Sequence, residues 1–471
     1  MDTYSILVLL MLPPLLAIPL FSLRTALIVY VVGSLIFPYF HVGGLFIRFE
    51  LIYALWLIIV LAVTRVMTRT PLRVHETVLL YSMYLLIVIT SSIIPLGQVP
   101  AQMLDSLVVL YGLFRPLLVL LVFANASMDA SFMTSIMRIF LAVSVGINLF
   151  TVAQFLGLEA ATAITKQFYL SPAGSEPFEL LIAIFGRLAR PMSVFESPVY
   201  NANYTLVVIL VCFTLLQTER NMWLRGCLYL AGILAAIAGL MTSSTTFLLG
   251  IMVLLGIAIW TNLRFPRRVV SLATAVVIGG SLVFCIFRSS PALQDLARGR
   301  LAYQAQRITG LDLFASRYAP ESGILSETYS AILERPLIGN GVVQREGAFI
   351  GDSTYVATLY MGGLIGLAIY LFVFYRVLKL SSSTKGLPGT FGLLNSLVFQ
   401  MTLVLLATGL AAPTFHMRRV SEFYWALVGM SVNRGLKGGL GNDQSGKSPA
   451  ENPLDAPDQQ LRAGGSRDGC R

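Results

Sequence analysis

ERPLIGNGVVQREGAFIGDSTYVATLYMGGLIG, residues Glu334 to Gly366, begins as the end of a charged segment and finishes as the start of an apolar helix. The join falls at Asp352-Ser353, where the chain passes from water into hydrocarbon. On either side of it, runs of roughly 17–25 apolar residues recur along most of the sequence, each long enough to cross about 30 Å as a helix. Composition agrees with this: 56% of the 471 residues are hydrophobic and only 12% are charged, against about 25% charged in a soluble domain. Lipid offers backbone groups no partners, so the spans must be helices, and the alternating segments of about ten residues that a barrel requires are absent. The chain therefore reads as an all-α polytopic membrane protein with about 12–14 transmembrane helices and a large outer-face loop carrying short helices.

Candidate spans are residues 5–21, 25–40, 48–65, 77–94, 105–124, 136–156, 203–217, 224–241, 245–261, 269–287, 353–375, 392–411 and 421–433. Arg24; Arg65, Arg69 and Arg73; Arg138; Arg220 and Arg225; Arg264, Arg267 and Arg268; and Arg376, Lys379 and Lys385 all fall in alternate connections. Short connections of the other set hold only Arg48, Arg418 and Arg419. The first set is thus expected in the cytoplasm, with the N-terminus outside and the tail inside. Met1-Asp2 lacks a basic stretch and a small-residue cleavage site follows nowhere before the next span, so the first helix reads as retained. The organisation is then N-terminal helices (1–156), a first outer loop (157–202), helices (203–287), a large outer loop (288–352), C-terminal helices (353–436) and a Gly-, Ser- and Asp-rich tail (437–471) expected to be disordered.

The net charge of +10 is spread between apolar segments rather than gathered in one patch, which argues against nucleic acid. Cys212, Cys227, Cys285 and Cys470 are scattered without CxxC spacing, so neither disulfide nor zinc is indicated.

In the first outer loop, Phe178, Leu181, Ile182, Phe185 and Ala189 describe one apolar helix face lying on the membrane surface. It ends at Arg187 and Arg190, either of which could face a lipid-linked phosphate or simply snorkel to the interface. The second outer loop carries Arg288, Arg298, Arg300, Arg307, Arg317, Arg335 and Arg345 without a lysine. The planar guanidinium fork suits phosphate or carboxylate, although Asp295, Asp312, Glu321, Glu327, Glu334 and Glu346 nearly balance these charges. Arg300 and Arg307 share one side of a helix expected over 292–309. A second helix, Ile324 to Glu334, is stopped by Arg335-Pro336.

Gly339-Asn340-Gly341 reads as a tight turn, with an anion-binding nest as the alternative. Asp352 reads as the N-cap of the following helix and equally as a general base at a lipid–water boundary. Arg115 lies in mid-span beside Pro116, where a charge costs about 2.5–3.5 kcal/mol on insertion scales. It therefore reaches either a substrate phosphate or a buried carboxylate, Asp105 being one candidate. His416 reads as a surface histidine.

Three places in this layout resemble the O-antigen ligase and polymerase superfamily of Wzy-type polymerases and WaaL-type ligases. They are Arg190-Pro191 with Phe195 and Pro198-Val199-Tyr200-Asn201-Ala202; Met241-Thr242-Ser243-Ser244-Thr245-Thr246; and Glu334 to Gly341 with Asp352-Ser353 and Gly362-Gly363-Leu364-Ile365-Gly366. Thr245 stands where many members have Arg. Asp352 stands where ligases carry a His ahead of the Gly kept here as Gly363, which favours a polymerase. The resemblance implies a glycosyltransferase at the periplasmic face of the bacterial inner membrane, joining repeat units carried on undecaprenyl diphosphate. It implies no cofactor, no metal and no nucleotide sugar, with membrane lipid and other polysaccharide-assembly proteins as partners. Asp352 would be its base, and Arg115, Arg187, Arg190, Arg300, Arg307 and Arg335 its substrate-binding cations. A ligase and a lipid-linked oligosaccharide flippase are the alternatives.

Overall fold

The structure is a computed structural model that describes residues 3–42, 45–98, 103–170, 190–262, 325–344, 353–387 and 389–433. The expected span 269–287, the surface helix around Phe178, the helix over 292–309 and the tail lie outside these residues. In chain order the elements are α1 (Thr3–Phe21), α2 (Leu23–Ile36), β1 (Tyr39–Val42), β2 (Leu45–Arg48), α3 (Phe49–Met67), α4 (Glu76–Gln98), α5 (Met103–Asn125), α6 (Ala130–Phe155) and α7 (Glu159–Phe168). They continue with α8 (Pro198–Leu216), α9 (Met222–Met241), α10 (Thr245–Asn262), α11 (Ser326–Glu334), α12 (Thr354–Thr384), α13 (Thr390–Thr408) and α14 (Val420–Val432).

Among the described residues 7 helices are long and apolar enough to cross a membrane, and shorter apolar helices stand beside them. The chain is a polytopic all-α membrane protein. Each expected span within the described residues has its helix. The span expected over 25–40 stops at Ile36, because Pro38 holds Phe37 in extended backbone. An antiparallel hairpin follows, pairing Tyr39 with Arg48 and Val42 with Leu45. α11 ends at Glu334, as Arg335-Pro336 requires.

Helix starts carry local caps. Ser22, Asp129, Ser197 and Asn221 each accept a first-turn amide, and Pro198 occupies the first turn of α8, where its missing N–H costs nothing. α14 is buried on every side, and α8 nearly so. α9 keeps only a narrow buried stripe, Ala231, Ala235, Ala238 and Gly239, so it stands at the periphery.

Contacts between helices preserve the expected alternation of ends. At one end Arg24 pairs with Asp129 (2.9 Å), Arg138 with Glu219 (2.7 Å) and Arg376 with Glu76. These residues all come from the arginine-rich set of connections or the helix ends beside them. At the other end Tyr169 donates to Ile36 O (2.8 Å), Arg418 pairs with Glu196 (2.8 Å), and Thr354 N donates to Gly409 O (2.9 Å).

α14 does not reach that second end. Its 13 residues cover about 20 Å at 1.5 Å per residue, less than the roughly 30 Å of a hydrocarbon core. Asn433 ties its far end to Phe123 O (3.0 Å) and Ala126 O (2.8 Å) at the arginine-rich end. Its start lies level with Arg115, roughly 18 Å along α5 from Met103. The connection 409–419 therefore descends into the bundle, burying Phe415 and Met417.

Candidate functional site

α12 is broken where its sequence reads Gly362-Gly363. Gly363 has φ 60° and ψ −165°, a left-handed conformation that costs glycine little. In an unbroken helix Leu364 N would bond to Tyr360 O and Ile365 N to Met361 O. Here Leu364 N donates to Pro336 O (2.8 Å) and Ile365 N to Leu337 O (3.1 Å). The two vacated carbonyls are taken by Asn340 N (2.7 Å to Tyr360 O) and Gly341 N (3.0 Å to Met361 O). The segment Pro336–Gly341 thus satisfies all four groups, which is the condition for irregular backbone at membrane depth.

Side chains lock the same segment. Ser91 donates to Ile338 O, Val342 N donates to Ser92 Oγ (3.0 Å), and the Asn340 amide donates to Ala331 O (2.8 Å). Gly339 and Gly341 both have positive φ, and a Cβ on either would meet backbone. The turn read from the sequence is present. The anion-nest alternative is corrected, since the Asn340 and Gly341 amides already bond to α12.

The stretch Arg190–Asn201 is clamped by a buried polar set. Gln154 Oε1 accepts Met192 N (3.1 Å) and Ser193 N (2.7 Å), and its amide donates to Thr165 Oγ1. Thr165 and Ser193 side chains donate onward to Ser193 O (2.7 Å) and Ile147 O (3.0 Å). The Asn201 amide reaches Thr151 Oγ1 (3.2 Å) and Pro191 O (3.3 Å). Arg190 Nε donates to Thr242 O (3.2 Å). That bond joins two of the three places singled out in the sequence, and Ser353, at the third, donates to Gly409 O (3.2 Å).

The connection 409–419 links these parts. Near its start it holds Ser353 and Thr354, and near its end Arg418 pairs with Glu196. Arg419, with φ 71°, places its guanidinium over Tyr169 (5.1 Å) and Phe195 (5.4 Å) and donates to Phe37 O (3.3 Å). Cation–π contact of this kind compensates part of the cost of burying the charge.

Arg115, 2% exposed, faces carboxylates: its Nε lies 2.7 Å from Glu422 and its Nη1 3.7 Å from Glu50. Both glutamates are buried, in the first turns of α14 and α3. Helix N-termini favour negative charge there, so dipole and guanidinium act together. Of the two sequence readings, the structure has the buried ion pair, with Glu422 and Glu50 as partners. His416 is not a surface residue. Its ring stacks on Tyr370 (centroids 5.8 Å apart) and its Nε2 is turned inward.

Of the remaining predicted site residues, Arg187, Arg300, Arg307 and Asp352 lie outside the described residues. Arg335 is half-buried at the end of α11, where its carbonyl accepts Gly339 N (2.9 Å) and its side chain makes no ion pair among the described residues. The N-cap of α12 is Ser353, whose Oγ accepts Val356 N (3.5 Å). The capping position expected of Asp352 therefore belongs to its neighbour. The sequence reading missed Glu196, Glu50 and Glu422 altogether. The two intramembrane glutamates had a signal, each being a lone acid at the head of an apolar run. Among the described residues no group of His, Cys, Asp and Glu could hold a metal ion.

Neither models of known protein families nor characterised proteins give a match to the chain.

Proposed function

We propose that the protein is a polymerase of oligosaccharide repeat units carried on undecaprenyl diphosphate, acting at the periplasmic face of the bacterial inner membrane. The observation that carries this reading is the bond from Arg190 to Thr242 O. It joins two stretches, far apart in sequence, that both resemble the polymerase and ligase superfamily. Around them stand Arg190, Arg418 and Arg419 at one end of the bundle, the end at which Ser353 caps α12.

The chemistry needs few groups. An acceptor sugar hydroxyl attacks the anomeric carbon of the donor and gives its proton to the Asp352 carboxylate. The bond from that carbon to the diphosphate breaks, and the diphosphate leaves with the electron pair. Guanidinium groups stabilise the developing negative charge. Departure of the lipid diphosphate drives the transfer, so no nucleotide sugar is required.

A second reading, a flippase for the same lipid-linked glycan, draws on the buried Glu50, Arg115 and Glu422, because charges at membrane depth commonly mark a transport path. Deletion of the gene separates the two. A strain lacking a polymerase displays single repeat units on the outer side, whereas one lacking a flippase retains them on the cytoplasmic face. Polymer of normal length in the deletion strain would rule out both.

A further inference from the structure

The four backbone groups freed by the break in α12 have a second complete set of partners, namely one another. Straightening the helix at Gly362-Gly363 would return Leu364 N to Tyr360 O and Ile365 N to Met361 O. Neither glycine carries a Cβ to oppose that change. The segment Pro336–Gly341 would then be released from the helix. Its outer part is already exposed, Leu337 at 60% and Ile338 at 45%, while Gly339 to Val343 are buried.

We propose that α12 is a two-state element, in which Pro336–Gly341 is a plug that withdraws as the helix closes on itself. The plugged state carries more bonds. Besides the four backbone bonds to α12, Ser91 holds Ile338 O, Ser92 holds Val342 N, and Tyr360 OH donates to Val343 O (2.8 Å). The withdrawn state is therefore the minor one, and a ligand fills it only by binding it more tightly than the plugged state. Two features identify the plug as a removable part. Glycines at positive φ stand on both sides of its contact with α12, Gly339 and Gly341 in the plug and Gly363 in the helix, and its bonds to α12 replace helix bonds one for one.

The plug also fills the space in which α12 meets α4. Gly341 lies against Ser92 of α4 and Gly339 against Gly362 and Gly363 of α12, so withdrawal opens a notch beside Ser91 and Ser92 at the end of the bundle that holds Arg190 and Arg418. Such a notch admits a turn of chain, since it now holds one.

Hydrogen exchange of the full chain in nanodiscs tests this without reference to activity. If the plug withdraws while α12 closes, the Asn340 and Gly341 amides lose their partners while Leu364 and Ile365 exchange one partner for another. The first pair then exchanges about tenfold or more faster than the second. Gly363→Ala, which disfavours the left-handed break and suits a straight helix, widens that gap. Equal rates for all four amides in the unaltered protein, or faster exchange at Leu364 and Ile365, would overturn the proposal whether or not the variant folds.

Discussion

At the arginine-rich end of the bundle, short turns join regular helices and the ion pairs stand in water: Arg24 and Asp129 are each about half exposed. The opposite end buries irregular chain from the stretches 191–195, 339–343 and 412–417, and most of its backbone amides that leave helices are answered inside the protein. Met192 and Ser193 amides turn to Gln154, the plug amides to α12, and Arg418 to Glu196. The difference follows from what each end can exploit. Solvent-exposed charges gain little from pairing, whereas a buried polar group left without its partner forfeits its full desolvation cost.

Substitutions should therefore be costly where irregular chain and charge are buried, at mid-bundle and at the irregular end, and mild at the arginine-rich end. Arg115→Met leaves Glu422 and Glu50 buried without a cation, at about 3–5 kcal/mol. It should abolish folded protein on size-exclusion chromatography, and replacing both glutamates by Gln in the same chain should restore it. Recovery failing in the triple variant would show that the guanidinium does more than balance charge. Gln154→Leu strips the acceptor from two buried amides, at about 1–3 kcal/mol for each, and should lower the thermal midpoint in detergent clearly. A shift no larger than that of an exposed substitution would break the contrast between the ends.

Asp129→Ala samples the other end and removes a helix cap, about 1 kcal/mol, together with an exposed ion pair to Arg24 that adds little. The Asp129 carboxyl is held below its usual range, first by the hydrogen bond from Phe132 N, then by that from Ser131, with Arg24 adding to both. A depressed carboxyl contributes stability above its unfolded value and loses it as pH falls through the folded one. The small difference between Asp129→Ala and the parent should accordingly vanish in acid, and a difference that persists there would assign it to something other than the carboxylate.

The helices were legible in the sequence because length and apolarity alone define a membrane span, and the alternation of Arg and Lys paired the ends correctly. The irregular half was much less so. The glycine pair at 339/341 announced a turn, whereas Gly362-Gly363 fell inside the expected span 353–375, and the pairing of the two depends on hydrogen bonds between chain segments that periodicity does not encode. The hairpin Tyr39–Arg48 and α7 are too short for a periodic signal. Arg115 was conspicuous as a lone charge in an apolar run. Its partners stood at the heads of two other spans, where an acidic residue reads as ordinary helix-start chemistry, and only packing joins α3, α5 and α14. Asp352 was conspicuous at its boundary, yet a cap can sit on either of two adjacent residues, and here Ser353 takes it.

The most direct test places the purified protein in liposomes with an undecaprenyl-diphosphate-linked repeat unit as the sole glycan and no nucleotide sugar. Oligomers of increasing length should form with release of undecaprenyl diphosphate, a reaction abolished by Asp352→Asn and sharply reduced by Arg190→Lys. Transfer of the intact lipid-linked unit between leaflets, with no glycosidic bond formed, would contradict it.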